Sequence, residues 1–283
     1  LSFVKKVLCR YRFVRRLLRL DKMNVTVVNK QSITLFIIYQ GLIFNYIKGG
    51  KLLPIFKLKH GRNILHNSIA IIPGDSIIFG EYFGNDTGLP VNIYKIDFST
   101  MKCMCVYTFP AKAIRHVHSC CYDEFEKKIW VFTGDYDGEC KVLVSDLEFK
   151  DVSILGDGTQ TWRAVSAFFT KEYVYWIMDS PLKTSHLVKF NRKLKEIDVG
   201  CSFPGPVYYS VSLSDGKYLV ATTYEPGPSV IGNSAHIYLS SDLESWEEVC
   251  SFKHDGLPTC CFTYAIIGFA SGEQSLDRFF VFF

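Results

Sequence analysis

The chain has ten cysteines, yet no two are separated by the two-residue spacer that lets a pair of thiolates grip one zinc ion. Cys103 and Cys105 flank one residue, and Cys120–Cys121 and Cys260–Cys261 are adjacent. Several lie in apolar runs, where a thiol behaves as a small hydrophobe, so the expectation is reduced, buried cysteines in a cytoplasmic protein. Also missing is an apolar run long enough to span a bilayer: Pro73, Gly74 and Asp75 interrupt residues 64–80. Residues 1–20 lack the unbroken apolar core and small-residue cleavage site of a secretory leader. They lack acidic residues too, while carrying Lys5, Lys6, Arg10, Arg12, Arg15, Arg16 and Arg19. The rest of the chain holds 25 basic and 28 acidic residues, so the formal charge of +4 comes from this leading segment. A basic footprint over the folded body is therefore absent, which argues against nucleic acid as the main partner.

In residues 1–20, apolar positions alternate with basic ones at roughly helical spacing. Such a segment either packs on the body with its arginines in water or makes a peripheral membrane-surface contact. Beyond it no long helical pattern occurs. Aromatic residues make up 15% of the chain, with 23 Phe and 16 Tyr, which favours strands.

Short β-type runs recur instead, each broken by Gly, Pro, Asn or Asp. Ser68–Ile72 and Ser76–Tyr82 flank a turn, and so do Ser119–Tyr122 and Ile129–Gly134. Ser166–Phe169 with Tyr173–Asp179, and Val211–Leu213 with Lys217–Thr223, repeat the pattern. A third and a fourth run follow each pair. The Ser-Asp-Leu-Glu turn between them recurs at 145–148 and 241–244. Four antiparallel strands per unit, at blade-length spacing, predict an all-β fold: a β-propeller of about six four-stranded blades over residues 24–283. Residues 24–58 read as a diverged first blade and residues 262–283 as half of a sixth. An open half-blade is an aggregation hazard, so residues 1–23, or chain beyond the sequence given, are expected to close it; a start on Leu rather than Met fits the latter.

The turn Ser240-Ser241-Asp242-Leu243-Glu244-Ser245-Trp246 resembles the Asp-box, Ser-x-Asp-x-Gly-x-Thr-Trp, of sialidase-type (BNR-repeat) propellers. The strings Arg115–His118 (RHVH), Thr133–Asp135 (TGD), Gln160–Ala164 (QTWRA) and Gly205–Ser210 (GPVYYS) are similar to those of sialidase-like propellers of microbes. In that family the Asp-box is a structural turn away from the active face, so it speaks to fold.

In a propeller, the loop leading into the innermost strand and the loop leaving the second strand open at the same end of the ring. The leading loops hold Arg62, Asn63, His66 and Asn67; Arg115, His116 and His118; Gln160, Trp162 and Arg163; and Tyr208 and Tyr209. The leaving loops hold Glu81, Tyr82 and Asn85; Asp135, Asp137 and Glu139; Asp179 and Ser180; and Tyr224 and Glu225. Three arginines around one mouth suit a carboxylate or phosphate, because the guanidinium fork binds oxyanions with two bonds. The resemblance implies more: Arg62, Arg115 and Arg163 as a sugar-carboxylate triad, Tyr209 or Tyr208 with Glu225 as nucleophile pair, and Asp135 or Glu81 as acid. Gln160, Asp179 and Trp162 would complete the substrate face, although Trp162 also suits a wedge between blades. Tyr208 and Tyr209 alternate along a strand, so one of them belongs to the core.

Three functions fit this pattern: a glycoside hydrolase on an acidic sugar, a lyase on uronate polysaccharide with His118 or Tyr209 as base, or a non-catalytic propeller that binds a glycan or a protein. No cofactor is expected. His116 and His118 would bind a metal only with a third ligand.

Overall fold

The computed structural model describes residues 7, 10–17, 23–29, 34–259 and 264–282. It is a β-propeller, as the repeats predict, but its four-stranded sheets number five and not six. The first contains β1 (Met23–Asn29), β2 (Thr34–Tyr39), β3 (Leu42–Ile47) and β4 (Leu53–Lys57). The second contains β5 (Ala70–Ile72), β6 (Ser76–Gly80), β7 (Val91–Asp97) and β8 (Cys103–Phe109). The third contains β9 (His116–Asp123), β10 (Lys128–Gly134), β11 (Cys140–Ser145) and β12 (Val152–Gly158). The fourth contains β13 (Phe168–Phe169), β14 (Tyr173–Ile177), β15 (Ser185–Asn191) and β16 (Glu196–Phe203). The fifth contains β17 (Val207–Ser212), β18 (Tyr218–Thr222), β19 (Ser234–Ser240) and β20 (Glu247–Lys253). Each is an antiparallel meander in chain order. All five third-to-fourth strand pairs carry a register shift, which twists the outer edge away from a flat template for aggregation.

The expected sixth blade is only a two-stranded ribbon, β21 (Gly268–Phe269) and β22 (Val281–Phe282). It packs against β17 through Ile267, Phe269, Leu213 and Leu219. Towards blade one, Val27 N donates to Ser271 Oγ at 3.0 Å; from the loop before β5, His66 Nε2 donates to Phe269 O at 2.6 Å and Asn67 Nδ2 to the same oxygen at 3.2 Å, with the His66 ring edge-on to Phe282. A short helix, α1 (Arg12–Leu17), precedes the propeller and leaves Tyr11 and Phe13 exposed. The expected closure of the ring by residues 1–23 falls largely outside the described residues, as does most of the basic segment. No described helix is long and apolar enough to cross a membrane.

The core lies between blades, not within them. One apolar cluster joins blades one and two around Phe36, Phe79 and Tyr94, and another joins blades two and three around Ile78, Val117 and Val131. Trp130, Trp162 and Trp176 fill the next interface, and Phe168, Phe203 and Val220 the one after it. The recurrent turns tighten these seams. Asp146 accepts backbone N–H bonds from Glu148 and Lys150, and Asp242 does so from Glu244 and Ser245. The glutamate of each turn reaches the preceding blade: Glu148 pairs with Lys95 at 2.5 Å and Glu244 with Lys189 at 2.6 Å. Trp246 packs its ring on Phe168 and Phe203 between blades four and five.

Candidate functional site

Asp135 is the centre of a cluster at one end of the ring. It follows β10, where Gly134 at φ +145° turns the chain out of the ladder. Side chains from blades three and four meet its carboxylate. Oδ1 lies 3.1 Å from His118 Nε2 and 3.2 Å from an Arg163 terminal nitrogen. Oδ2 lies 3.3 Å from an Arg115 terminal nitrogen and 3.4 Å from His116 Nε2. Arg163 and Gln160 also donate to the Asp135 backbone oxygen, at 2.9 and 3.1 Å, and Ser180 Oγ donates to Gln160 Oε1 at 2.7 Å. Each guanidinium has a second carboxylate: Asp86 lies 3.2 Å from Arg115, and Asp179 lies 3.5 Å from Arg163.

Local backbone irregularity aims these groups. Between β9 and β10 the pairing passes from Ser119–Phe132 to Val117–Thr133, leaving His118 as the extra residue of a β-bulge. Between β17 and β18 it passes from Val207–Thr222 to Tyr209–Ala221, leaving Tyr208 as the extra residue. Both bulged side chains enter the cluster. Tyr208 OH donates to Glu225 Oε2 at 2.5 Å, while Tyr209 is buried in the core beside His66. Tight packing holds the histidine strand from behind: a Cβ built on Gly80 would lie 2.4 Å from Val117, between the two histidines. The Tyr82 ring covers His116 at 4.2 Å.

Burial polarises the cluster. It opposes charge on Asp135, but the neighbouring imidazoles of His116 and His118 outweigh it and hold this carboxyl well below its usual range. Asp179 goes the other way: burial pushes it up to about 8, with Arg163 opposing and Glu225 and Asp135 adding to the rise. Burial also raises Glu225 and, more strongly, Tyr208. Beneath the cluster the axial channel holds a cavity of about 170 Å³, lined by His66, Val165, Tyr208 and residues of β17.

The structure thus brings together Arg115, His118, Asp135, Gln160, Arg163, Asp179, Tyr208 and Glu225 of the residues singled out in the sequence. Four others lie elsewhere, Tyr209 being in the core as described. Arg62 is exposed and joins none of these contacts, so no arginine triad forms. Glu81 is buried within blade two, where it accepts from His60 N, Asn92 N, Asn92 Nδ2 and Tyr94 OH. Trp162 packs 5.4 Å from Trp176 in the seam between blades three and four, as a wedge and not a platform. Asp86 and Tyr136, both bonded to Arg115, were not singled out. Their only sequence signal is that they lie in second-strand loops beside residues that were.

No protein-family model matches this chain, and no curated protein does. Solved structures do match. A xyloglucanase of glycoside hydrolase family 74 from Xanthomonas campestris superposes with a TM-score of 0.58 at 15% identity, covering 83% of this chain and 39% of that one. A TolB-designated protein of Agrobacterium tumefaciens gives 0.55 at 11%, covering 82% and 80%. TolB from Acinetobacter baumannii gives 0.52 at 12%, covering 83% and 54%. At these identities the likeness establishes the propeller fold alone.

Proposed function

We propose that the channel mouth recognises an acidic sugar, with Arg115 and Arg163 gripping its carboxylate. The observation that supports this best is that two guanidiniums from adjacent blades converge on one carboxylate, Asp135. Asp135 acts as their internal counter-ion. A ligand carboxylate would take its place between the two forks, where charge-assisted bonds are strong. Gln160 and Ser180 hold the Asp135 backbone, and Glu225 and Tyr208 supply acceptors and a ring for sugar hydroxyls.

Calorimetric titration with hexuronic and nonulosonic acids in metal-free buffer tests the reading. Binding is expected to fall at least about tenfold in Arg115→Met, the loss of a charge-assisted pair, and to hold or strengthen in Asp135→Asn. Equal affinity for an acidic sugar and its neutral counterpart would sink it.

A second reading, hydrolysis, is favoured by the Tyr208–Glu225 bond. Glu225 would take the Tyr208 proton as the phenolate attacks the anomeric carbon, and Asp179, carrying a proton near neutral pH, would protonate the departing oxygen. Release of the aglycone from aryl glycosides, lost in Tyr208→Phe, is the expected signature. An unsaturated, ultraviolet-absorbing product would instead identify a lyase.

A further inference from the structure

The two histidines of β9 share an arrangement that the sugar reading leaves unused. His116 Nδ1 lies 2.9 Å from Phe83 O, and His118 Nδ1 lies 3.3 Å from Ala164 O. A carbonyl oxygen can only accept, and so can a carboxylate. His116 keeps its hydrogen on Nδ1, and its Nε2, buried without a hydrogen-bond partner, faces Asp135 Oδ2 bare. His118 has an acceptor at each nitrogen, Ala164 O and Asp135 Oδ1, and one hydrogen for the two. Two neutral rings thus leave lone pairs turned on oxygen unless something positive lies among them.

Two extra protons could provide that charge. They would place two imidazoliums beside two guanidiniums in a buried pocket, with one carboxylate shared by all four. One divalent ion delivers the same charge and forms three coordinate bonds. The spacing suits it: ligand atoms around tetrahedral zinc at about 2.0–2.1 Å stand roughly 3.3 Å apart. His118 Nε2 lies 3.1 Å from Asp135 Oδ1 and His116 Nε2 lies 3.4 Å from Oδ2, and one donor atom from each residue can be chosen so that all three lie within 4.8 Å of one another. The Nδ1-to-carbonyl bonds are the outer support that metal-bound histidines usually have. Arg115 and Arg163 do not block the site, since Asp86 and Asp179 remain to pair with them when Asp135 turns to the ion.

We propose that His116 Nε2, His118 Nε2 and Asp135 form a three-ligand site for a first-row divalent cation of the zinc type. Two nitrogens and one oxygen favour such an ion over calcium or magnesium, which take oxygen donors. Three protein ligands leave a fourth position for water or for a ligand oxygen. Asp135, the most exposed of the three, gives that position access to the mouth. Occupancy would also draw Asp135 away from the guanidiniums and free them for an anion.

The test is a Co²⁺ titration of the whole chain after EDTA treatment and dialysis. One equivalent is expected to bind, giving visible d–d bands that Zn²⁺ abolishes, and Zn²⁺ is expected to raise Tm. His116→Gln and Asp135→Asn should each weaken Co²⁺ binding about 100-fold or more. Should a variant fail to fold, the wild-type titration still decides: no Co²⁺ bands and no Zn²⁺ shift in Tm overturn the site. So does binding that survives in a folded variant. The titration contains no sugar, so its outcome is independent of the ligand reading.

Discussion

Glu81 and Asp135 show how two carboxylates of similar sequence context take different work. Both follow a second strand. Glu81 turns into its blade and accepts four hydrogen bonds, two of them from backbone N–H groups. Asp135, released by Gly134, turns out to the mouth. Replacing Glu81 with Gln puts an N–H donor where only donors point, so Glu81→Gln should cost about 1–3 kcal/mol of stability in a urea melt. Sugar affinity should be unchanged. A loss of affinity with unchanged stability would return Glu81 to the site. The direction of either side chain was not readable beforehand, because it depends on the residue at which the strand leaves the ladder. The bulges at His118 and Tyr208 were equally hidden. Simple alternation left the choice between Tyr208 and Tyr209 open, and an extra unpaired residue decides it.

The strands were legible because each blade repeats one hairpin pattern and one turn. Runs read at Ser76–Tyr82 and Ile129–Gly134 fall on β6 and β10. The first strand of blade five starts at Val207 and not at Val211, since its bulge breaks the alternation that marks a strand. The blade count failed where the pattern thins: residues 264–282 contribute two strands of two residues each, too little to be told from loop by periodicity. The recurrent turn is the strongest signal, and its energetics can be checked. Asp242→Ala removes an acceptor for two backbone amides and for Ser240 Oγ. Because the turn is exposed, a loss of only about 1 kcal/mol is expected in thermal or denaturant unfolding, with the mouth unaffected. A loss beyond about 3 kcal/mol would mean the turn also sets the packing of Leu243 and Trp246.

The propeller's seams are unequal. Apolar clusters join blades one to five in succession and the ribbon to blade five. Where the ribbon meets blade one and the loop into blade two, the described residues show polar bonds, an edge contact of the His66 and Phe282 rings, and an open cavity of about 630 Å³ lined by Val27, Ile71, Leu213 and Ser271. His66 is part of this joint, and burial lowers its proton affinity below the ordinary value of 6.5. The unfolded chain therefore takes up a proton more readily than the folded one. Stability from this group is present above about pH 6.5 and is lost as the pH falls below it. The protection of amides in β21 and β22, taken relative to their intrinsic exchange rate at each pH, is expected to fall on acidification through that window, and less so in His66→Gln. Protection that is the same at all pH values would contradict this weakness.

Blades two to five carry every member of the Asp135 cluster, while the lightly held joint contributes none. Slackening at the ribbon leaves the contacts of the histidine strand, which run to blades two and four, intact. On heating, that strand is expected to be among the last of the described parts to lose its shape.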